Sequence, residues 1–236
     1  DQLGNTMLGV GAAGTVAFGG RAKSAIDYES AFAGVKKTVD GTPEQIDALN
    51  TSIRNMAREM PASHAEIAGV AEAAGQLGIE IPNIEGFTRS MIALGSSTNM
   101  SADEAATAIA RFANIMGTSQ TEFSNIGSSI VALGNNFATT EAEITNMAQR
   151  LASAGNQIGL TEGDVLGIAT ALSSVGIEAE AGGTAFSTVM IEMRKAVDEG
   201  GESLDVFAKT AGMSGAQFQK AFKEDAAGAI TAFVQG

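Results

Sequence analysis

His64 is the single histidine of this 236-residue chain, so chemistry that needs an imidazole has one ring to use. It directly follows Ser63, a residue type that starts helices, and no partner stands at the spacing of a metal site. The chain has no Cys, which excludes disulfides, thiolate nucleophiles and Cys-based zinc or iron–sulfur sites. We therefore expect His64 to be a surface residue in the first turn of a helix, and we expect neither a metal nor a cofactor.

The 27 acidic residues could hold an acid–base pair of the kind that glycosidases use. Several of them, however, lie three residues after a Ser or Thr, which is the spacing of a helix capping box. These are Glu66, Glu104, Glu122, Glu143 and Asp164. No P-loop, H-E-x-x-H, EF-hand or G-x-S-x-G motif occurs either. We therefore expect no enzymatic activity.

The stretch Gly9-Val10-Gly11-Ala12-Ala13-Gly14 matches the dinucleotide-binding pattern G-x-G-x-x-G letter by letter. That pattern cradles a phosphate only where a strand precedes it and a helix follows it within a βαβ unit. The preceding residues lack strand character, and helical periodicity continues beyond the motif. We therefore predict that this match is coincidental.

Net charge limits the partners of this chain. The 14 Lys and Arg residues oppose 27 Asp and Glu residues, which gives a formal net charge of −13. The segment Met60–Met193 holds 14 of the acidic residues and only three basic ones, Arg89, Arg111 and Arg150. Nucleic-acid backbones are bound by clustered basic residues, so specific nucleic-acid binding is not expected. An acidic surface suits a protein that lies near nucleic acid without adhering to it.

Helix start signals recur along the chain from Thr42 onward. At each, a Ser or Thr is followed three residues later by Glu, Asp or Gln, so that two helix-end donors are satisfied reciprocally. The pairs are Thr42/Gln45, Ser63/Glu66, Ser101/Glu104, Ser119/Glu122, Thr140/Glu143, Thr161/Asp164 and Ser214/Gln217. Glycines stand where these helices should end in a left-handed residue, namely Gly78, Gly95, Gly117, Gly134, Gly159 and Gly176. Because no segment shows sustained strand alternation, the predicted fold class is all-α, a series of short capped helices.

The caps return at a nearly constant interval, since Ser63, Ser101 and Thr140 are separated by 38 and 39 residues. An apolar segment has the same period and occurs as Met91–Gly95, Ile130–Gly134 and, more loosely, Ala169–Ser173. This spacing predicts helical hairpins that bury one another's apolar faces in a repeat-like stack. Repeated use of the same caps would also arise in an irregular bundle, so both arrangements stay open. We assign residues 41–236 to this helical-hairpin core domain.

Residues 1–40 differ from the rest. The stretch Leu3–Gly20 has no charged residue and contains six glycines. It is about as long as a membrane-spanning helix but lacks the basic region of a signal peptide. Gly9, Ala13 and Ala17 recur every four residues, a pattern that lets helix backbones approach closely. We predict a Gly/Ala-rich helical segment that packs against sister copies through this face, with membrane insertion as the alternative.

Several segments resemble the phage tail tape-measure proteins, in the core region toward their N-terminal side. The resemblance runs from about Tyr28 to Gly236 and is carried by Tyr28–Thr38, Ser101–Gly117, Asn136–Glu141 and Gly176–Phe186. The last segment is the most specific. The family favours a Gly-Ile turn, a few polar residues, and then Gly-Thr-Ala opening a long amphipathic helix, which here is expected to run to about Val197.

The resemblance implies a structural virion protein that acts in tail assembly, tail-length determination and genome ejection. It places the protein in the tail interior, and in the host cytoplasm during assembly. The implied partners are other copies of the chain and the tail-tip or initiator and tail-tube proteins, and membrane contact during ejection remains open. Short capped helices cannot form the extended helical ruler of such proteins, so we expect a folded module of a longer polypeptide. The alternative is a free-standing helical-repeat adaptor.

The predicted packing of residues 3–20 can be tested with Ala13→Leu. A leucine on the small-residue face should hold the helix backbones apart and lower the association state of the chain without unfolding the capped helices. Analytical ultracentrifugation measures this, with circular dichroism as the folding control. A monomeric wild-type chain, or a variant that associates equally well, would contradict the predicted face.

Overall fold

The computed structural model describes residues 26–236, and in these residues the chain is all-α, as predicted, with no strand. The helices are α1 (26–38), α2 (Pro43–Glu59), α3 (His64–Gln76), α4 (Ile81–Ser97), α5 (Ala102–Met116), α6 (Phe123–Asn136), α7 (Glu141–Ile158), α8 (Glu162–Ser174), α9 (Thr184–Glu199), α10 (Glu202–Thr210), α11 (Gly215–Glu224) and α12 (Ala226–Gln235). A 3-10 turn at Gln120–Glu122 precedes α6, and a π-helical turn at Ala179–Gly183 precedes α9.

Side-chain caps begin most of these helices. Complete capping boxes form at Thr42, Ser101, Thr140, Thr161 and Ser214, as the spacing predicts. In α5 the Ser101 hydroxyl accepts from the backbone N–H of Glu104 at 3.2 Å, and the Glu104 carboxylate accepts from the Ser101 N–H at 2.8 Å. These paired bonds fix the first residue of each helix.

Two of the predicted boxes are wrong in part. Ser63 accepts from the N–H of Glu66, but Glu66 does not bond back to Ser63. Ser119 caps the 3-10 turn through the N–H of Thr121 and begins no α-helix. The side chain of Asp225 is an additional cap, because it accepts from the Gly228 N–H at 2.9 Å at the start of α12.

Four of the predicted helix-ending glycines have the expected positive φ, namely Gly78, Gly117, Gly159 and Gly176. The prediction is wrong for Gly95 and Gly134, which lie inside α4 and α6 with helical backbone. Each stands against the first residue of the following helix. A Cβ at Gly95 would lie 2.6 Å from the backbone N of Ala102, and one at Gly134 would lie 2.7 Å from Cδ of Glu141. The two glycines are therefore equivalent, as the 39-residue period predicts. What they share is a close contact with the next helix, and not a left-handed turn.

The described chain forms two compact units that divide inside α4, between Ala93 and Leu94. In the first unit α2 packs against α3. Thr38, at the end of α1, also donates to the backbone carbonyl of Glu72 in α3 at 3.2 Å. The predicted separation of residues 1–40 from 41–236 stays a prediction.

In the second unit the helical hairpins stack. Helices α5, α7 and α9 pack in succession, α6 packs against α8, and α7 also packs closely on α8. The first helices of the hairpins, α5, α7 and α9, therefore form one row, and the second helices, α6 and α8, form another. This is the arrangement of a repeat-like stack. Helices α10, α11 and α12 pack against one another, with the rings of Phe207 and Phe233 edge-to-face at 5.5 Å.

The contact at Gly95 yields a prediction about stability. Gly95→Ala should destabilise the chain by about 1–3 kcal/mol, because its Cβ would meet the backbone of Ala102 and could be accommodated only by moving α5. Gly86 lies in the same helix with nothing within 4 Å of an added Cβ. Gly86→Ala should therefore stabilise by up to ~1 kcal/mol through helix propensity. Urea unfolding followed by circular dichroism measures both changes.

Gly134→Ala should cost less than Gly95→Ala, because its Cβ would meet a side chain that can rotate. Gly127 in the same helix is the matched control, since its added Cβ would make an ordinary contact of 3.8 Å with Ile109. A Gly95→Ala chain as stable as wild type would show that the α4–α5 junction is looser than described.

Candidate functional site

The predicted oligomer-packing residues Gly9, Ala13 and Ala17 lie outside the described residues, as does the G-x-G-x-x-G match at Gly9–Gly14. The packing face stays a prediction.

His64 lies in the first turn of α3, as predicted, but is half-buried and not fully at the surface. Its ring packs edge-to-face on Tyr28 at 5.7 Å, which is the reason for its burial. Burial raises the pKa of the Tyr28 hydroxyl more than the nearby Arg54 lowers it, and this hydroxyl donates to the side chain of Asn50. The Tyr28 phenol is therefore protonated at neutral pH. Within residues 26–236, no group of three or more His, Asp and Glu side chains is placed to hold a metal ion.

The carboxylates of the capping boxes accept hydrogen bonds at helix N-termini. The backbone N–H of Ser101 and then its hydroxyl lower the pKa of Glu104 below its ordinary value of 4.5. Thr140 lowers the pKa of Glu143 in the same way. A general acid at neutral pH needs a raised carboxyl pKa, so the shift at these two residues has the opposite sign.

An open groove follows α5, α7 and the π-helical turn in the second unit. One part of it, about 400 Å³ in volume, includes Asp103 and Glu104 at the start of α5. The adjoining part, about 580 Å³, ends at Ala179 and Glu180. Four polar residues line it, and we call this surface the arginine groove: Arg111, Asn146, Gln149 and Arg150. Arg111, Asn146 and Gln149 line both parts, so the two form one continuous depression.

The 39-residue period places the two arginines together. Arg111 and Arg150 are 39 residues apart and occupy equivalent positions on α5 and α7, which pack against each other. Their place in the total charge does not show that they are neighbours, but the 39-residue period of the sequence is the signal that pairs them.

The two guanidinium groups have few partners of their own. Arg111 is exposed, and its side chain makes no hydrogen bond or ion pair with another described residue. Arg150 has Glu180 as its nearest carboxylate, at 3.7 Å, with 51% and 88% of the two side chains exposed. A pair this long and this exposed contributes little. Both arginines are thus available to an anionic group from outside the chain.

Comparison with known proteins places this fold in a biological context. The family described as phage-related minor tail protein matches residues 50–235, which is most of the chain. The chain belongs to this family. No curated protein and no solved structure matches the tail protein. Its family confirms the predicted origin in a phage tail and gives the tail protein a structural role there. Within residues 26–236 of the tail protein, none of the helices reaches the length and apolarity that a membrane crossing requires.

The capping carboxylates predict how the stability of the tail protein depends on pH. A carboxylate whose pKa is lower in the folded chain than in the unfolded chain stabilises the fold above about pH 4.5, and this contribution is lost as the pH falls through the folded value. Glu104→Gln with Glu143→Gln keeps an oxygen acceptor at each cap but cannot titrate. The double variant should therefore lose less melting temperature than wild type between about pH 6 and about pH 3.

A matched control replaces two exposed carboxylates that cap no helix, Glu192→Gln with Glu199→Gln. This variant should follow the wild-type pH dependence more closely than the cap variant does. Equal acid sensitivity of the cap variant and wild type, in thermal melts followed by circular dichroism, would show that the caps contribute no pH dependence.

Proposed function

We propose that this chain is the folded core module of a phage tail tape-measure protein. The observation that carries the proposal is the structure of Gly176–Phe186, the segment with the most specific resemblance to that family. Gly176 has a φ of 79°, the π-helical turn follows, and α9 then runs from Thr184 to Glu199. The expected end near Val197 lies two residues before the observed one.

Contacts with α7 give a physical reason for the Gly-Thr-Ala element. A Cβ at Gly183 would lie 2.8 Å from Cβ of Arg150 and 3.1 Å from Sδ of Met147, so only glycine lets the π-helical turn rest on α7. One turn later, the Ser187 hydroxyl donates to the backbone carbonyl of Arg150 at 2.9 Å. These contacts join α9 to the row of first helices, and they support the interpretation of the segment as a structural element of the tape-measure core.

The described helices of the module are too short to form a ruler. The longest of them, α7, has 18 residues and therefore spans about 27 Å, and α8 packs back on it as a hairpin. We infer that the module attaches the longer protein to the tail-tip or initiator complex and to its sister copies. On this proposal it is a non-enzymatic protein of the tail interior that contributes to assembly, length determination and genome ejection. Its acidic surface would limit adhesion to passing DNA.

A helical-repeat adaptor is the second candidate. The row formed by α5, α7 and α9 favours it, because such rows present extended surfaces to partners. This function requires no part in tail length or assembly.

Deletion of residues 50–235 from the phage gene that encodes the chain distinguishes these functions. Loss of an anchor should sharply reduce the number of assembled tails, as counted by negative-stain electron microscopy. The matched control removes the same number of residues from the extended helical region of the gene product, which should shorten tails by about 1.5 Å per residue. Normal tails after the module deletion would favour the adaptor, and tails shortened in proportion would show that the module is part of the ruler.

A further inference from the structure

The arginine groove interrupts an otherwise acidic surface. Between Met60 and Met193 the chain has three basic residues, and two of them, Arg111 and Arg150, lie in this groove. The third, Arg89, is already paired with Glu59 at 2.8 Å and with Glu85 at 3.4 Å. The groove therefore holds the arginines of this segment that are available to an outside partner.

The spacing of the two arginines limits what can bind both. Packed helices lie ~8–10 Å apart, so the backbone positions of Arg111 and Arg150 on α5 and α7 are separated by about one interhelical distance, and their long side chains can bring the guanidinium groups closer together. An extended peptide advances about 3.3 Å per residue and its side chains alternate between two faces, so carboxylates two residues apart lie on one face, about 6.6 Å from each other, within reach of two flexible arginine side chains on neighbouring helices. A guanidinium group binds a carboxylate through two parallel N–H···O bonds, which gives such a pair directional selectivity.

Asn146 and Gln149 line the same groove as the two arginines. Each amide side chain both donates and accepts hydrogen bonds, so it can bind the N–H and the C=O of a peptide backbone. A nucleic-acid backbone offers phosphate acceptors and no comparable donors. Asp103, Glu104 and Glu180 also line the groove and would repel any negative charge that extends beyond the two arginines, which disfavours a continuous phosphate backbone and limits an acidic peptide to about two carboxylates.

We infer that the arginine groove binds an acidic peptide segment of a partner protein, with two carboxylates of that segment paired to Arg111 and Arg150. Asn146 and Gln149 form hydrogen bonds with the backbone of that segment. The 3.7 Å contact between Arg150 and Glu180 is broken when the segment binds. This role goes beyond the tape-measure proposal and does not depend on it, because a tail anchor and an adaptor could each use the groove.

The probe is the capped peptide acetyl-Ser-Glu-Ser-Glu-Ser-Ser-amide, whose two Glu side chains share one face of the extended chain, and its neutral control replaces both Glu residues with Gln. NMR titration of the arginine side-chain Nε–H signals at about 150 mM salt suits weak binding and reports each arginine separately. The Glu peptide should shift the signals of Arg111 and Arg150 but not that of Arg194, which is paired with Asp198 at 2.8 Å. It should bind at least about tenfold more tightly than the Gln peptide, since hydrogen bonds to charged groups are the stronger ones.

Two double variants with the same change in charge separate the groove from net charge. Arg111→Gln with Arg150→Gln should abolish the preference for the Glu peptide. Lys209→Gln with Lys223→Gln, two exposed residues outside the groove, should keep it. All four positions are exposed, and a thermal melt confirms that each variant is folded.

Three results would overturn the inference. The first is equal affinity for the Glu and Gln peptides, and the second is an unchanged preference in the arginine double variant. The third is tighter binding of a six-nucleotide oligothymidylate at the same two arginine signals, which would make the groove a phosphate site. The tail-assembly deletion has no bearing on these outcomes, so each proposal can fail alone.

Discussion

The structure depends on satisfying the ends of short helices. Each α-helix leaves four backbone N–H groups and four C=O groups without an internal partner, so a chain whose longest described helix has 18 residues carries many such groups. The capping boxes at Ser101 and Thr140 fix the first residue, and with it the rotational phase, of α5 and α7. Because these starts are 39 residues apart, side chains separated by the same number lie on equivalent faces. Arg111 and Arg150 meet in one groove for this reason.

Small residues set the second constraint. Helix α5 buries eight residues, of which six are alanine. An alanine buries little apolar area, so its helix gains stability only through close approach to its neighbours. The glycines at the junctions allow that approach, since a Cβ at Gly95 would collide with the backbone that begins α5. Within the second unit, the close contact of Gly134 with Glu141 also keeps the α5–α6 and α7–α8 hairpins in a fixed relation, which the shared groove between α5 and α7 requires.

These two constraints differ in how far the sequence reveals them. A capping box is local, with both partners within four consecutive residues, so most boxes and the all-α fold could be predicted. The role of Gly95 could not, because a glycine serves equally for a left-handed turn or for a close contact, and only the packing decides which applies. The pairing of Arg111 with Arg150 could be predicted from the 39-residue period, whereas the net charge of the segment does not reveal it because a total carries no positions. The boundary between the two compact units could not be predicted from the sequence either, because it lies inside α4 and the helix continues through it.

The charge distribution follows from the same use of carboxylates. Glu104 and Glu143, like ordinary carboxylates, are ionised at neutral pH, and the caps lower the pKa of each and so keep them ionised into more acidic solution. Each capping box that uses Glu or Asp therefore adds a negative charge to the surface. A chain with a net charge of −13 repels an acidic partner at long range, but at physiological salt this repulsion is screened beyond ~8 Å. Paired guanidinium and carboxylate groups inside a groove are screened less. An acidic segment should therefore bind through short-range fit at Arg111 and Arg150 and not through general attraction, so its affinity should depend on the spacing of its carboxylates more than on their number.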